Sequence, residues 1–270
     1  MQIKNLEQVR IEELVWQPDR KADPILDHIS EMLHSGEFYG ILGPNGAGKT
    51  SIVRQILRLK DSSSGSVYYD DRNIRQMDRG EIAAQFSFLP QNIKAEVDFS
   101  VFDVVAMGRE PHRKKFSPLT DLDYEKIEEA MRFTNCLEMK DKSITVLSGG
   151  ERQRVMIART IAQDTPWVIL DEPVSALDVK HQAEIMAVLE RLRREKGKTI
   201  IAILHDLNLA AAFCTQLILM KKGQVYKAGS MQEVLKKEVL EAVYEMKFDF
   251  LANENAKYPY IVPKFYHFGR

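Results

Sequence analysis

Residues 38–50 read FYGILGPNGAGKT, a short apolar run followed by a glycine-rich loop that ends in Lys49 and Thr50. The run Phe38–Leu42 has the length of a buried strand, and residues 50–59 have helical composition. Glycines at these spacings let backbone N–H groups approach phosphate oxygens, while the following helix directs the positive end of its dipole at them. The pattern therefore predicts a phosphate-binding loop formed by Gly43, Pro44, Asn45, Gly46, Ala47, Gly48, Lys49, Thr50 and Ser51.

Two side chains of this loop have a predicted chemical role. We expect the Lys49 ammonium to lie against the β- and γ-phosphates of a nucleotide, and the Thr50 hydroxyl to ligate Mg²⁺. The alternative is an ordinary glycine-rich turn, which the flanking strand and helix disfavour. No GxGxxG pattern is present, so the sequence does not predict a dinucleotide site.

Further short apolar runs alternate with helical stretches along the chain. The helical stretches are residues 151–163, 179–194 and 207–214, and the predicted strands are Phe86–Leu89, Trp167–Leu170 and Thr199–Leu204. Alternation of this kind is typical of an α/β protein with a mainly parallel sheet.

Polar residues follow each of these runs. Gln91 comes after the second strand, Asp171 and Glu172 after the third, and His205 after the fourth. Since ligands of open parallel sheets bind at the carboxyl ends of the strands, we expect these side chains and the loop to meet in one crevice. Asp171 would then hold Mg²⁺, directly or through water, and Glu172 would orient and deprotonate the attacking water. A solvated turn is the alternative for the Asp-Glu pair, and a structural role is the alternative for His205.

Other segments predict subdomains within a single domain, 1–270. Residues 93–150 favour an inserted helical subdomain, which leaves 1–92 and 151–270 as the core. Alternating apolar residues in the first 35 positions and at Ser66–Tyr69 favour a small antiparallel sheet. A hairpin is predicted around residues 217–224, and a single helix over Met231–Met246 begins a C-terminal segment, 231–270.

Composition excludes several classes of protein. The chain has 38 Lys and Arg against 39 Asp and Glu, so no strong field favours nucleic acid. It contains no apolar stretch of membrane-spanning length and no secretory leader, which predicts a cytosolic location. Cys136 and Cys214 lie far apart without CxxC spacing, and we expect buried free thiols rather than a disulfide or a zinc site.

A second candidate phosphate cradle lies at residues 147–154, LSGGERQR. It combines Ser148, Gly149 and Gly150 with the start of a helix, whose first backbone N–H groups are available to an anion. These residues alone leave open whether the two cradles serve one nucleotide or two.

The order of these motifs resembles the ATP-binding subunits of ATP-binding cassette (ABC) transporters over nearly the whole chain. The matching motifs are GPNGAGKT (43–50, Walker A), Gln91 (Q-loop), LSGGERQR (147–154, signature), WVILDEP (167–173, Walker B), SALD (175–178, D-loop) and His205 (switch histidine). The resemblance implies a P-loop NTPase fold with a RecA-like core, and ATP with Mg²⁺ as its ligands.

It also implies a head-to-tail homodimer in which Lys49 of one chain and Ser148–Gly150 of the other enclose one ATP. Asp178 would then cross the interface, and Trp16 would stack on adenine, with packing in the small β-sheet as the alternative for Trp16.

Four further segments resemble the importer ATPases for ferric siderophores, haem and cobalamin. They are residues 101–112, 178–182 and 205–210 and a tail with Tyr244 and residues 261–263. The likeness implies a separate transmembrane permease docked near Gly108–His112, a substrate-binding protein acting through it, and a peripheral position on the cytoplasmic face of the membrane. The cargo stays open among siderophore, haem, cobalamin and oxyanion. The alternatives are a soluble ABC ATPase with a mechanical role outside transport and a non-catalytic interaction module, which the intact motifs disfavour.

Overall fold

The computed structural model describes residues 7–19, 22–91, 98–114, 117–252 and 258–264. Its strands are β1 (Gln8–Trp16), β2 (Leu26–His34), β3 (Phe38–Leu42), β4 (Ser64–Tyr69), β5 (Arg72–Asn73), β6 (Phe86–Leu89), β7 (Trp167–Asp171), β8 (Thr199–Ile203), β9 (Gln216–Lys221), β10 (Gln224–Ser230), β11 (Phe248–Leu251) and β12 (Tyr260–Pro263). Its α-helices are α1 (Lys49–Ile56), α2 (Arg79–Gln85), α3 (Val101–Ala106), α4 (Asp121–Phe133), α5 (Gly149–Ala162), α6 (Val179–Lys196), α7 (Leu207–Phe213), α8 (Met231–Val234) and α9 (Lys237–Tyr244). The chain divides into two compact units, one containing the described residues of 1–75 and 203–270, the other those of 76–202.

An antiparallel sheet in the first unit has the strand order β2-β1-β4-β5. Val9, Ile11 and Leu14 of β1 are buried, and a register shift between Ile11 and Leu14 keeps Leu14 on the buried side. The expected small β-sheet is therefore confirmed. Trp16 ends β1, opposite Leu26 of β2.

The other sheet strands of the first unit run in the order β10-β9-β3. Every residue of β3 is buried, and β3 is parallel to β9, which pairs with β10 in the expected hairpin. Helix α1 ends at Ile56, three residues before the predicted end, because Arg58 adopts a positive φ of 49° that ends helical geometry.

In the second unit the strands follow the order β8-β7-β6, with β6 parallel to β7. All residues of β7 and β8 are buried, as their continuous apolar sequence predicts. Helix α2, which directly precedes β6, was not predicted, because its seven residues carry only one buried side chain, Ile82.

A buried ion pair in the second unit joins Arg109 to Asp123 of α4. Arg109 Nε donates to Asp123 Oδ1 at 2.9 Å and Arg109 Nη1 donates to the Ala162 carbonyl at 2.7 Å. Burial raises the pKa of Asp123, but hydrogen bonds from Thr120 and Arg109 outweigh it and hold that pKa at about 2. Arg109 lies in the Gly108–His112 stretch, where a permease is expected to dock, but its side chain is hydrogen-bonded inside this unit.

The C-terminal segment differs from the single helix predicted over Met231–Met246. Leu235 leaves helical geometry with ψ at 52°, and its side chain is buried, so the chain forms α8 and then α9. Strands β11 and β12, which were also not predicted, pair antiparallel after α9. Asn208 of α7 receives a 2.8 Å hydrogen bond from Ile261 N and donates one of 3.0 Å to Ile261 O.

Cys136 and Cys214 are buried free thiols, as predicted. Within the ranges described above, no helix combines the length and the apolar character needed to cross a bilayer.

Candidate functional site

The phosphate-binding loop, residues 43–50, joins β3 to α1 in the first unit. Gly43, Gly46 and Gly48 have φ values of 143°, 80° and 97°, which residues with a Cβ rarely adopt. The buried Lys49 ammonium donates to the carbonyls of Gly43 at 2.8 Å and Pro44 at 3.0 Å. These bonds hold the charge inside the curve of the loop. No side chain caps the N-terminus of α1, so its first N–H groups can serve an anion.

Backbone from distant parts of the first unit packs against this loop. A Cβ on Gly43 would lie 2.2 Å from the Met220 carbonyl oxygen, and one on Gly48 would lie 2.9 Å from the Ile25 carbonyl oxygen. Ile25 N in turn donates to the Trp16 carbonyl at 2.9 Å. The half-buried Trp16 is therefore linked to the loop through one short backbone segment.

Tyr244 at the end of α9 was not assigned a role from the sequence. Burial raises the pKa of its phenol to about 12, while the adjacent Gly43 backbone lowers it. The hydroxyl is buried without a well-formed hydrogen bond among the described residues. An aromatic residue in an amphipathic C-terminal helix is the only sequence signal, and it does not reveal this contact.

His205 belongs to the first unit and is exposed just beyond β8. The preceding residue is held by a 3.1 Å hydrogen bond from Leu204 N to Ile41 O of β3. The residue that follows, Asp206, caps α7 by accepting from Asn208 N and Leu209 N. His205 is thus carried on a short link that is fixed on both sides.

Gln91, Asp171 and Glu172 belong to the second unit. Gln91 Nε2 donates to Glu172 Oε2 at 2.7 Å, and Asp171 ends β7 with only 3% of its surface exposed. Glu172 has a φ of 54°, a strained value for a residue with a side chain, and the chain turns sharply there. The structure therefore brings together two of the predicted catalytic residues that lie far apart in sequence.

The signature residues form the start of α5 in the same unit. Ser148 caps the helix, accepting from Glu151 N at 3.3 Å and donating to Glu151 Oε2 at 2.7 Å. Those bonds to Ser148 lower the pKa of Glu151. Ser148 and Gly149 are exposed, and nothing lies within 4 Å of the position of a Gly149 Cβ. This edge of the cradle is open to an approaching group.

The D-loop is held by side chains that the sequence did not single out. Gln153 Nε2 donates to the Pro173 carbonyl at 2.6 Å, and Gln182 Nε2 donates to the carbonyls of Val174 and Leu177 at 3.1 and 3.0 Å. Asp178 caps α6 and accepts from the backbone and the ring of His181. These side-chain amides donate hydrogen bonds to backbone carbonyls. Because any residue type supplies a carbonyl, such bonds produce no recognisable sequence motif.

The oxygen-rich donors proposed for a metal suit Mg²⁺. Thr50 of the first unit carries a hydroxyl. In the second unit, Asp171 carries a buried carboxylate and Gln91 an amide whose Nε2 donates to Glu172. No group of three or more His, Cys, Asp or Glu side chains suited to a metal ion occurs in the part of the chain that the structure describes.

The family model described as "ABC transporter" matches residues 26–175, more than half of the chain. This chain belongs to the ABC transporter family. Its fold is that of an ABC ATPase, and its enzymatic activity is ATP hydrolysis.

Three curated relatives show the same family. The Bacillus subtilis iron(3+)-hydroxamate import ATP-binding protein FhuC is 37% identical over 87% of this chain and 87% of its own. The Escherichia coli ferric enterobactin transport ATP-binding protein FepC is 35% identical over 88% of each. The Rhodococcus jostii hemin import ATP-binding protein HmuV is 38% identical over 83% of this chain and 76% of its own.

Two solved structures share the fold. A chain of an ABC transporter in an inward-facing conformation superposes with a TM-score of 0.83 at 25% identity, covering 96% of this chain and 98% of that one. A dimeric, post-hydrolysis structure of the ATP-binding cassette MJ0796 with ADP and phosphate has a TM-score of 0.71 at 26% identity, covering 83% and 98%.

Proposed function

We propose that this chain is the ATP-hydrolysing subunit of an importer for ferric siderophores, haem or cobalamin. The observation that carries the hydrolytic part is the 2.7 Å hydrogen bond from Gln91 to Glu172, because it holds a carboxylate in place for work on water. The import part is supported by the names of the relatives FhuC, FepC and HmuV.

The phosphate-binding loop holds the nucleotide in this proposal. Residues 43–51 surround the phosphates with backbone N–H groups, and Lys49 turns its ammonium from the Gly43 and Pro44 carbonyls to the β- and γ-phosphates. Trp16 stacks on adenine, an interaction that suits a half-buried indole. Backbone donors and one charge can thus bind ATP before any second chain arrives.

The remaining residues act on the γ-phosphate. Glu172 takes a proton from water, the water oxygen bonds to the γ-phosphorus, and the bond to the ADP oxygen breaks, which yields ADP and phosphate. Gln91 orients Glu172, and exposed His205 donates to the γ-phosphate. Thr50, Asp171 and the Gln91 amide oxygen would hold Mg²⁺, which offsets the negative charge of the phosphates.

Two copies of the chain complete the site in this proposal. Ser148, Gly149 and Gly150 of one copy bind the ATP held by Lys49 of the other, and Asp178 crosses the interface. The open edge at Gly149 supports this, since no side chain covers it. The structural relative MJ0796 is dimeric with ADP and phosphate bound, which supports a pair of cassettes as the working unit.

The assembly extends to the membrane in this proposal. The domain, 1–270, has a core of 1–92 and 151–270, a helical subdomain, 93–150, that docks on a transmembrane permease, and a C-terminal segment, 231–270. The ATPase is peripheral on the cytoplasmic face, and a separate substrate-binding protein delivers cargo to the permease. No contact with nucleic acid is part of this function, since the net charge is −1.

Affinity purification and uptake test this function together. Tagged chain, extracted in mild detergent, should copurify with a polytopic permease in about equal amount, and its ATPase activity should stop when EDTA removes Mg²⁺. A strain that lacks this chain should lose ATP-dependent uptake of one labelled cargo among ferric hydroxamate, ferric catecholate, haem and cobalamin. The wild-type chain should restore that uptake, whereas Glu172→Gln should not.

Recovery of partners without membrane spans, together with retained ATP hydrolysis and unchanged uptake of every cargo, would favour the mechanical ATPase outside transport. Absent hydrolysis by the wild-type chain, alone and with its partners, would leave only the interaction module.

A further inference from the structure

His181 in the first turn of α6 contacts two motifs at once. Its Nδ1 lies 2.8 Å from Asp178 Oδ2, and its backbone N donates to Asp178 Oδ1 at 2.9 Å. Both bonds lower the pKa of Asp178, the backbone bond more strongly. An ionised carboxylate can only accept, so the ring donates from Nδ1.

The other edge of the same ring lies over Gly150 of the signature loop. A Cβ on Gly150 would be 2.7 Å from His181 Cδ2, 3.0 Å from Cγ and 3.1 Å from Nε2. These separations are shorter than van der Waals contact. A side chain at position 150 would therefore displace the ring from its present position against Asp178.

The backbone on both sides of this contact is held by other side chains. Gln182 ties α6 to the D-loop carbonyls of Val174 and Leu177, and Gln153 ties α5 to Pro173. Arg154 of α5 also lies 3.4 Å from Glu184 of α6. The ring of His181 is thus a packed spacer between two supported segments, and a shift of Gly150 presses on it directly.

We propose that His181 is a positioning residue that couples the signature loop to Asp178, so that ATP engaged at one site of the dimer adjusts the other. The inference rests on the proposed head-to-tail dimer, in which Gly150 and Asp178 both face the partner. Displacement of Gly150 by a bound phosphate then moves the ring, and the ring moves the carboxylate that it holds. The measurable consequence is positive cooperativity between the two ATP sites.

Two variants separate the two contacts of the ring. His181→Phe keeps an aromatic ring over Gly150 but cannot donate to Asp178, whereas His181→Asn keeps a donor for Asp178 but removes the ring. We expect each to reduce the Hill coefficient of ATP hydrolysis towards about 1 and kcat by about three- to tenfold, the size of one lost hydrogen bond or packing contact. The KM and the melting temperature should change little. His28→Ala is the matched control, because His28 Nδ1 makes a similar 2.8 Å contact with Asp27 in β2.

A pair of alanine substitutions tests the packing itself. Gly150→Ala should lower the melting temperature of the wild-type chain, because the new methyl group meets the ring of His181. In a His181→Ala background the same substitution should raise it, since alanine is the better helix former. A reversal of sign is expected only if the ring is what excludes a side chain at position 150.

The outcomes distinguish this inference from the proposed function. Suppose that Asp178→Ala and Gly150→Ala abolish ATP-driven dimerisation in the Glu172→Gln background, while both His181 variants retain wild-type kcat and Hill coefficient. That result would support the proposed dimer and would contradict the proposed coupling role of His181. If Asp178→Ala and Gly150→Ala leave dimerisation intact, the proposed dimer fails, and the coupling through His181 fails with it.

Discussion

The predicted phosphate-binding loop and the segment that follows β7 both belong to the proposed site, but they are built in different ways. In the loop, Lys49 bonds to carbonyls five and six residues away. The later segment, residues 171–178, depends on Gln91, which is 81 residues from Glu172, and on Gln153, which is 20 residues from Pro173. A local motif carries its own geometry, whereas a dispersed site needs the fold to assemble it.

This difference predicts how each region responds to substitution. Removal of the Lys49 charge from the loop should weaken ATP binding. Substitution of a glycine that has a positive φ should lower the stability of the folded chain. Substitutions in the dispersed segment should reduce turnover, because its side chains are proposed to act on water, while ATP binding should remain. Four substitutions, in order of decreasing expected effect, test that division.

Glu172→Gln should have the largest effect. Without the carboxylate base, kcat should fall by about 10²- to 10⁴-fold, while ATP binding and ATP-driven dimerisation persist. Steady-state hydrolysis and equilibrium binding measure the two separately. Glu138→Gln, at an exposed position of the same unit, serves as the control. Near-normal turnover of Glu172→Gln would remove this residue from the base role.

Lys49→Ala should weaken ATP binding. A charged hydrogen-bond donor to phosphate contributes enough for a loss of affinity of about 10- to 100-fold. Isothermal titration with ATP measures this, and Lys60→Ala, at an exposed position beyond α1, is the matched control. Unchanged affinity in Lys49→Ala would contradict the assignment of the phosphate-binding loop.

Gln91→Ala should reduce kcat by about tenfold and leave the ATP affinity of the isolated chain nearly unchanged, because one neutral donor to Glu172 is lost. Gln163→Ala removes a side-chain amide of the same unit that bonds the Ala83 and Phe86 carbonyls, and it should leave kcat unchanged. Equal losses of kcat in the two variants would indicate a general structural effect.

Gly43→Ala should affect stability most visibly. The new Cβ would meet the Met220 carbonyl oxygen, so we expect destabilisation of about 2 kcal/mol or more. Gly36→Ala is the matched control: Gly36 also has a positive φ of 83°, but nothing lies within 4 Å of its Cβ position. Only the backbone strain, about 1 kcal/mol, should appear there. Thermal melts of the two variants measure the difference, and equal shifts would mean that the Met220 contact contributes nothing.

The elements predicted most accurately are the strands with continuous apolar sequence. Strands β3, β6, β7 and β8 match the predicted runs to within one residue, since burial on both faces demands continuous apolar sequence. The sequence prediction was wrong for residues 231–246, where the backbone leaves helical geometry at Leu235, and it missed α2, β11 and β12. Short elements at an edge or in a tail have too few buried residues to leave a periodic pattern.

The sequence by itself determined the chemistry of this protein. The loop at 43–50, Asp171-Glu172 and Ser148–Gly150 each consist of neighbouring residues whose types suit phosphate, a metal ion or water, so their proposed roles could be predicted from the sequence. The tertiary structure decided which side chains support them. Gln91 bonds Glu172, Tyr244 lies beside Gly43, and His181 fills the space between Gly150 and Asp178. Such contacts join residues through packing and carbonyl hydrogen bonds, which many residue types can make, so no spacing in the chain encodes them.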